Sequence, residues 1–106
     1  MVREYALAFM VEAEPNGRPV YRIWVDGELL CEREFWLDPN EFYISEQTVL
    51  DLEEGRHIAK LELVNNSTGF CSATKLRITN LSTNSSTEHA LPAMQGREQI
   101  IPFSAK

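Results

Sequence analysis

Residues 21–36 read YRIWVDGELLCEREFW, and the Asp26-Gly27 pair at their centre decides the fold. A two-residue Asp-Gly loop between apolar-rich runs favours a type I′ turn. Both central residues then need positive φ, and the turn's twist matches the strands it joins. In that register Val25 faces Glu28, Trp24 faces Leu29, Ile23 faces Leu30 and Arg22 faces Cys31. One face of the hairpin carries Tyr21, Ile23, Val25 and Leu30; the other carries Val20, Trp24, Leu29 and Cys31. Apolar residues on both faces near the turn predict that both are covered there. The charges gather further down, at Glu32, Arg33 and Glu34.

The same alternation extends in both directions. In EYALAFMVE, Tyr5, Leu7, Phe9 and Val11 share one parity, and Glu4, Ala6, Ala8, Met10 and Glu12 share the other. Period two marks a half-buried strand. Ala, Leu and Met would also suit a helix, but the large residues keep to one side. EPNGRP ends the run with turn formers. After the hairpin, LDPNEF supplies a loop whose Pro39 cannot join a central ladder. FYISEQTVLDL then places Phe42, Ile44, Thr48, Leu50 and Leu52 on one parity. EEGRH turns the chain, and HIAKLELV leaves with Ala59, Leu61 and Leu63 on one face. NNSTG is another turn, and FCSATKLRITNL aligns Phe70, Leu76 and Ile78. Short strands separated by turns, with no helical period, predict an all-β antiparallel sandwich of jelly-roll type over residues 1–81.

Residues 82–106 differ in texture. STNSSTEH is polar, and ALPAMQGREQIIPFSAK regains apolar character at Leu91, Met94, Ile100, Ile101 and Phe103, with Pro92 and Pro102 limiting any regular element. Three outcomes stay open for this extension. It can dock on its own sheet through QIIPF, or cross to a neighbouring molecule as an arm, or remain disordered. As an arm, its anchors would be Ile100, Ile101 and Phe103, since buried apolar groups dominate interface energetics.

The chain has 106 residues, 43% of them hydrophobic, enough for one folded domain and too few for two ordinary ones. Its formal net charge of −6 argues against nucleic acid, which demands clustered Lys and Arg; only Arg18, Arg22, Lys75 and Arg77 stand out, and they are scattered. No apolar run approaches a membrane span, and MVREYALAFMVEAE does not read as a signal peptide. Cys31 and Cys71 read as two small apolar side chains, with a disulfide as the alternative.

Candidate chemistry is sparse. His57 opens a strand beside Arg56, where an exposed or half-satisfied imidazole is expected, and His89 sits in the polar segment. Neither histidine, nor Cys31 with Cys71, has zinc spacing. No nucleophile elbow, Walker loop or glycine-rich fingerprint is present, so the chain is not expected to be an enzyme or to need a cofactor. Asp38, Asn40 and Glu41, or Asp51, Glu53 and Glu54, could offer oxygen ligands to Ca²⁺, but solvated turn carboxylates account for them better. N-x-[ST] matches at Asn65, Asn66, Asn80 and Asn84 read as turn chemistry. Among the aromatics, Trp36 and Tyr43 are the candidates for an exposed platform on which a sugar could stack. Core filling is the plainer reading of the group.

The segments RPVYRIWVDGELLCEREFW, EFYISEQTVLDLEEGRHIAKLELV and TKLRITNL carry a resemblance. Their V-D-G-E-L, L-x-x-G-x-H-x-x-x-L and K-L-x-I-x-N-L motifs look like those of small β-sandwich proteins of tailed phages, particularly phages of marine cyanobacteria. More remotely they are similar to jelly-roll carbohydrate-binding modules. The likeness spans about residues 18–81. Together with the missing catalytic set, the acidic surface, the compact sandwich and the proline-punctuated C-terminal extension, it leads to the expectation of a virion or host-cytoplasm setting and a non-enzymatic structural or assembly role, such as capsid decoration or a tail or fibre accessory. Its partners would be other virion proteins or copies of itself, with neither nucleic acid nor membrane. The alternatives are glycan binding through an aromatic face, assisted or not by Ca²⁺, and binding of a host protein.

Overall fold

A computed structural model describes residues 2–13, 19–36, 43–64 and 71–106. Those residues form eight strands: β1 (Val2–Ala13), β2 (Val20–Val25), β3 (Glu28–Glu34), β4 (Ile44–Glu53), β5 (Gly55–Leu63), β6 (Cys71–Asn80), β7 (Ser85–Ala90) and β8 (Glu98–Ala105). They make two antiparallel four-stranded sheets, ordered β4-β1-β6-β7 and β3-β2-β5-β8, packed face to face as a β-sandwich. Among the described residues there is no helix, and none long and apolar enough to cross a membrane.

The alternation places the core. Tyr5, Leu7, Phe9 and Val11 of β1 meet Tyr21, Ile23 and Val25 of β2, with Ala59 and Leu61 of β5 beside them. Gly55, at φ +125°, makes the corner where the chain leaves the first sheet for the second, an angle that side chains with a Cβ rarely adopt.

The Asp26-Gly27 turn has the positive φ angles, 49° and 84°, that a type I′ turn needs. The register next to it holds for only two pairs, Val25 with Glu28 and Trp24 with Leu29. A β-bulge then leaves Leu30 unmatched, so Ile23 faces Cys31 and Arg22 faces Glu32. This corrects the face assignment from the sequence. A bulge turns two consecutive side chains to one side, and Leu30 and Cys31 both pack against the core. Trp24 and Leu29 remain on the outer face, which no further layer covers; Leu29 is 49% exposed. A second bulge, opposite Met10 and Val11, does the same to β6: Val11 pairs with Ala73 and Met10 with Lys75, leaving out Thr74. Cys71 and Ala73 therefore share the interior with Leu76 and Ile78 across a change of parity. Phe70 lies outside the described residues. Cys31 and Cys71 are both unpaired thiols.

Residues 82–106 are continuous with the sandwich. β7 pairs with β6, and β8 pairs with β5 along its whole length. Ile101 and Phe103 belong to the core, whereas Ile100 is 48% exposed on the opposite side of the same strand. Pro102 lies on a sheet edge, the place where a missing N–H is tolerated. Asn80 serves as a turn residue. Its Oδ1 accepts from the Ser82 and Thr83 amides, and its Nδ2 donates to the Lys106 carbonyl. Asn65 and Asn66 lie outside the described residues.

Two buried polar side chains knit the layers. Gln99 of β8 is fully buried and reaches across to β6. Its Oε1 accepts the Ala73 N–H at 2.8 Å, and its Nε2 donates to the Ala73 and Pro92 carbonyls at 2.7 and 2.6 Å. On the β3–β4 side, the Glu46 carboxylate accepts the Tyr21 hydroxyl at 2.7 Å and pairs with the Arg33 guanidinium. Those contacts tie β4 to β2 and β3 on that side. On the opposite side, every residue of β7 is exposed and an open hollow separates it from β8.

Candidate interaction surface

The most unusual surface is the outer face of the β3-β2-β5-β8 sheet. Strand register sets its side chains in rows. Leu29, Trp24, Lys60 and Ile100 lie directly opposite one another across all four strands. The next row toward the hairpin tip holds Ile58 and Pro102, and beyond it Arg56 and Ser104. On the other side runs a charged row of Glu32, Arg22, Glu62 and Glu98. A solvated sheet face normally alternates apolar-in and polar-out. Here Ile58 is 55% exposed, and Ile100 and Leu29 are exposed to 48% and 49%. Single exposed apolar residues mean little, but a contiguous band with a polar rim is how interaction surfaces are built.

Local contacts hold the band in place. The Trp24 indole N–H donates to Glu62 Oε1 at 3.2 Å, and the Lys60 ammonium sits 5.5 Å from the centre of the Trp24 ring. Lys60 also pairs with Glu98, and Arg22 with Glu32. The indole is thus half-buried, held by a hydrogen bond at one end and a cation over its face. Open hollows flank it. One is lined by Trp24, Asp26, Gly27, Ile58, Lys60 and Ile100; its neighbour is lined by Arg56, His57, Pro102, Phe103 and Ser104 together with Asp26 and Ile58.

His57 borders the second hollow, and where an exposed or half-satisfied imidazole is expected of a strand opening both ring nitrogens have partners. The side chain is only 12% exposed and stacks on Phe103. Nδ1 lies 2.5 Å from Asp26 Oδ2, and Nε2 lies 2.6 Å from the Glu53 carbonyl. Two acceptors favour the doubly protonated ring, and neither nitrogen keeps a lone pair for a substrate. Burial alone would lower the pKa of His57, but the Glu53 carbonyl and the Asp26 carboxylate outweigh it and hold the imidazole above its usual value. Burial pushes Asp26 the other way, and the Ile58 amide and His57 overcome it, leaving Asp26 below the usual carboxylate range. The signs define a window. The stabilisation from His57 is complete below its unfolded value, about 6.5, and is lost as pH rises through the folded value; that from Asp26 is lost as pH falls below about 4. The thermal midpoint is therefore expected to fall from pH 6 to pH 8.5 in the native chain, and to fall less in His57→Gln, by scanning calorimetry.

The residues singled out from the sequence are distributed over the molecule. Tyr43, 43% exposed, lines a shallow trough on the outer face of the other sheet with Ala8, Met10, Ser45, Gln47, Lys75, Arg77 and Glu88. Trp36, 56% exposed, follows the buried Phe35 beyond the end of β3 and is not part of that trough's lining. Of Ile100, Ile101 and Phe103, Ile100 alone reaches the apolar band. Asp38, Asn40 and Glu41 lie outside the described residues. Among the described residues no three His, Cys, Asp or Glu side chains converge to hold a metal ion.

Sequence reasoning passed over Trp24, Ile58 and Lys60 as a unit. The signal was present in two forms. Ile58 is out of step with Ala59, Leu61 and Leu63, and adjacent Ile100 and Ile101 cannot both face one core. No family model matches the chain, and neither a curated protein nor a solved structure matches it.

Proposed function

We propose that this chain is a non-enzymatic structural or assembly protein acting through protein–protein contacts, with a tailed-phage virion as its setting, as a capsid-decoration protein or a tail or fibre accessory. One observation carries the contact role: the band of Leu29, Trp24, Ile58, Ile100 and Pro102, interrupted by Lys60, that crosses all four strands of one sheet face. Its plan, a tryptophan among aliphatic residues with a charged rim, matches how binding energy concentrates at interfaces. The virion setting rests on the resemblance of residues 18–81 to phage β-sandwich proteins. Many weak contacts on a repeating lattice would gain strength by multivalency. Mass spectrometry of purified particles is expected to find the chain in many copies, and Ile58→Glu is expected to reduce its incorporation at least tenfold without lowering its thermal midpoint. Absence from the particles removes the virion role. Unchanged incorporation removes this face from it.

A second reading, glycan binding, has one observation in its favour. The trough beside Tyr43 combines an exposed ring with Gln47, Lys75, Arg77 and Glu88 over a floor of Ala8 and Met10. An aromatic face with fixed polar neighbours suits a sugar. A glycan array with the native chain and Tyr43→Ala decides it; binding that Tyr43→Ala does not weaken counts against the trough.

A further inference from the structure

We infer that the outer face of the β3-β2-β5-β8 sheet pairs with the same face of a second copy of this chain, about a two-fold axis that crosses the strands at Ala59. The inference rests on the contact role proposed above and names its first partner. The decisive feature lies on β5. Arg56 and Glu62 point outward from the same strand, each three residues from Ala59, and neither has a salt-bridge partner of opposite charge among the described residues. At about 3.3 Å per residue each stands roughly 10 Å from that centre. Between them lie Ile58 and Lys60, flanked by Pro102, Ile100 and Trp24.

A two-fold axis lying in the contact plane at right angles to β5 runs the two β5 strands antiparallel, one over the other. It sets Arg56 of each copy against Glu62 of its partner, giving two reciprocal ion pairs at the ends of a shared centre in which each Lys60, paired with Glu98 of its own copy, lies over Ile58 of the other. It also sets the Trp24–Lys60–Ile100 row of one copy on the Ile58–Pro102 row of the other. Such an interface is isologous, so one patch must complement itself. An unpaired cation and an unpaired anion equidistant from the middle of an apolar band meet that condition. A face of purely like charge would not. The ion pairs fix the register while the apolar rows supply the attraction. A face four strands wide and about 20 Å long offers less than the roughly 800 Å² per partner of a standard interface. Self-association is therefore expected to be weak, setting in at roughly hundreds of micromolar, a strength that copies arrayed on a lattice can use.

Sedimentation equilibrium of the full chain tests the pairing. The native protein is expected to dimerise. Arg56→Glu and Glu62→Arg, each alone, are expected to weaken the dimer at least tenfold by facing like charges across it. An equimolar mixture of the two variants restores opposite charges at both contacts and is expected to recover the dimer as a heterodimer. Ile58→Glu, at an exposed position, is expected to abolish it with the thermal midpoint kept. A native chain that stays monomeric at millimolar concentration overturns the inference, as does a dimer indifferent to both reversals. The two proposals fail separately. A monomer abundant in particles overturns the self-pairing and leaves the assembly role, whereas a dimer of this kind absent from particles removes the virion role alone.

Discussion

Gln99→Leu is expected to destabilise the domain by about 3 kcal/mol, and so to lower its thermal midpoint by roughly 15 °C. The substitution keeps most of the volume and adds apolar character, and on composition alone it would look harmless. The cost arises on β6. β7 pairs with β6 only from Lys75 onward, and past that point the Ala73 N–H and C=O are both satisfied by the Gln99 amide. A buried donor or acceptor left without a partner costs about 1–3 kcal/mol, and leucine would orphan two such groups in the core and a third at the Pro92 carbonyl. Greater apolar burial offsets part of this.

Gln99→Glu separates the hydrogen-bond account from a packing account. The carboxylate could accept from Ala73 but would have no hydrogen to give the Ala73 and Pro92 carbonyls, and its charge would be buried without a cation. At neutral pH it is expected to be less stable than Gln99→Leu. The introduced carboxyl would titrate above its unfolded value, so the folded state would bind more protons, and stability would recover as pH falls. Thermal melts at pH 4.5 and pH 7.5 check this. A variant equally unstable at both values would mean that shape, and not the donor, is what matters at this site.

The strands up to β6 were legible because one physical rule governs them: side chains alternate, and the interior selects one parity; β7, exposed at every position, carries no such signal and reads as a polar linker. Tyr5 to Val11, and Ala59 to Leu63, follow that rule without a break, and Asp26-Gly27 announces its turn through the φ angles it permits. The rule fails where a residue is inserted into one strand only. Leu30 and Thr74 reverse the parity after them, and in the sequence such a reversal looks the same as an ordinary exception to the pattern. Glu46 and Gln99 were hidden for a related reason. Each is a polar residue on the apolar parity, and only the opposing sheet shows what satisfies it. The apolar band was hidden because its members come from β2, β3, β5 and β8 and become neighbours through pairing alone.

Glu46→Ala is expected to cost about 2 kcal/mol, or roughly 10 °C in the thermal midpoint. The loss falls mainly on Tyr21. Its ring is fully buried, its hydroxyl gives its proton to Glu46, and burial followed by that carboxylate holds its pKa far above the ordinary tyrosine value. Without Glu46 the hydroxyl has no acceptor. Arg33 loses less, because its side chain is 51% exposed and can return to water. Glu46→Gln is expected to sit between native and Glu46→Ala, since an amide oxygen can still accept from Tyr21. The decisive case is the pair. Removing both members of a buried hydrogen bond can be nearly neutral where removing one is costly. Tyr21→Phe with Glu46→Leu is therefore expected to be more stable than Glu46→Leu alone, a non-additivity that a double-mutant cycle measures. Strict additivity would show that the two residues act independently.

The same substitutions should reach Cys31. Its thiol lines a small cavity with Phe9, Ile23, Leu30, Glu46, Gln47 and Thr48, where burial first and the Glu46 charge second push its pKa to about 11. Taking away the carboxylate removes the second cause and unfastens the β3–β4 side of the sandwich, so alkylation of Cys31 is expected to quicken at pH 8 in Glu46→Ala. Cys71, raised to about 12 by burial alone, has no such dependence and serves as the internal reference. Equal acceleration at both thiols would mean that the variant reacts by opening globally, and that Glu46 does not specifically guard this side.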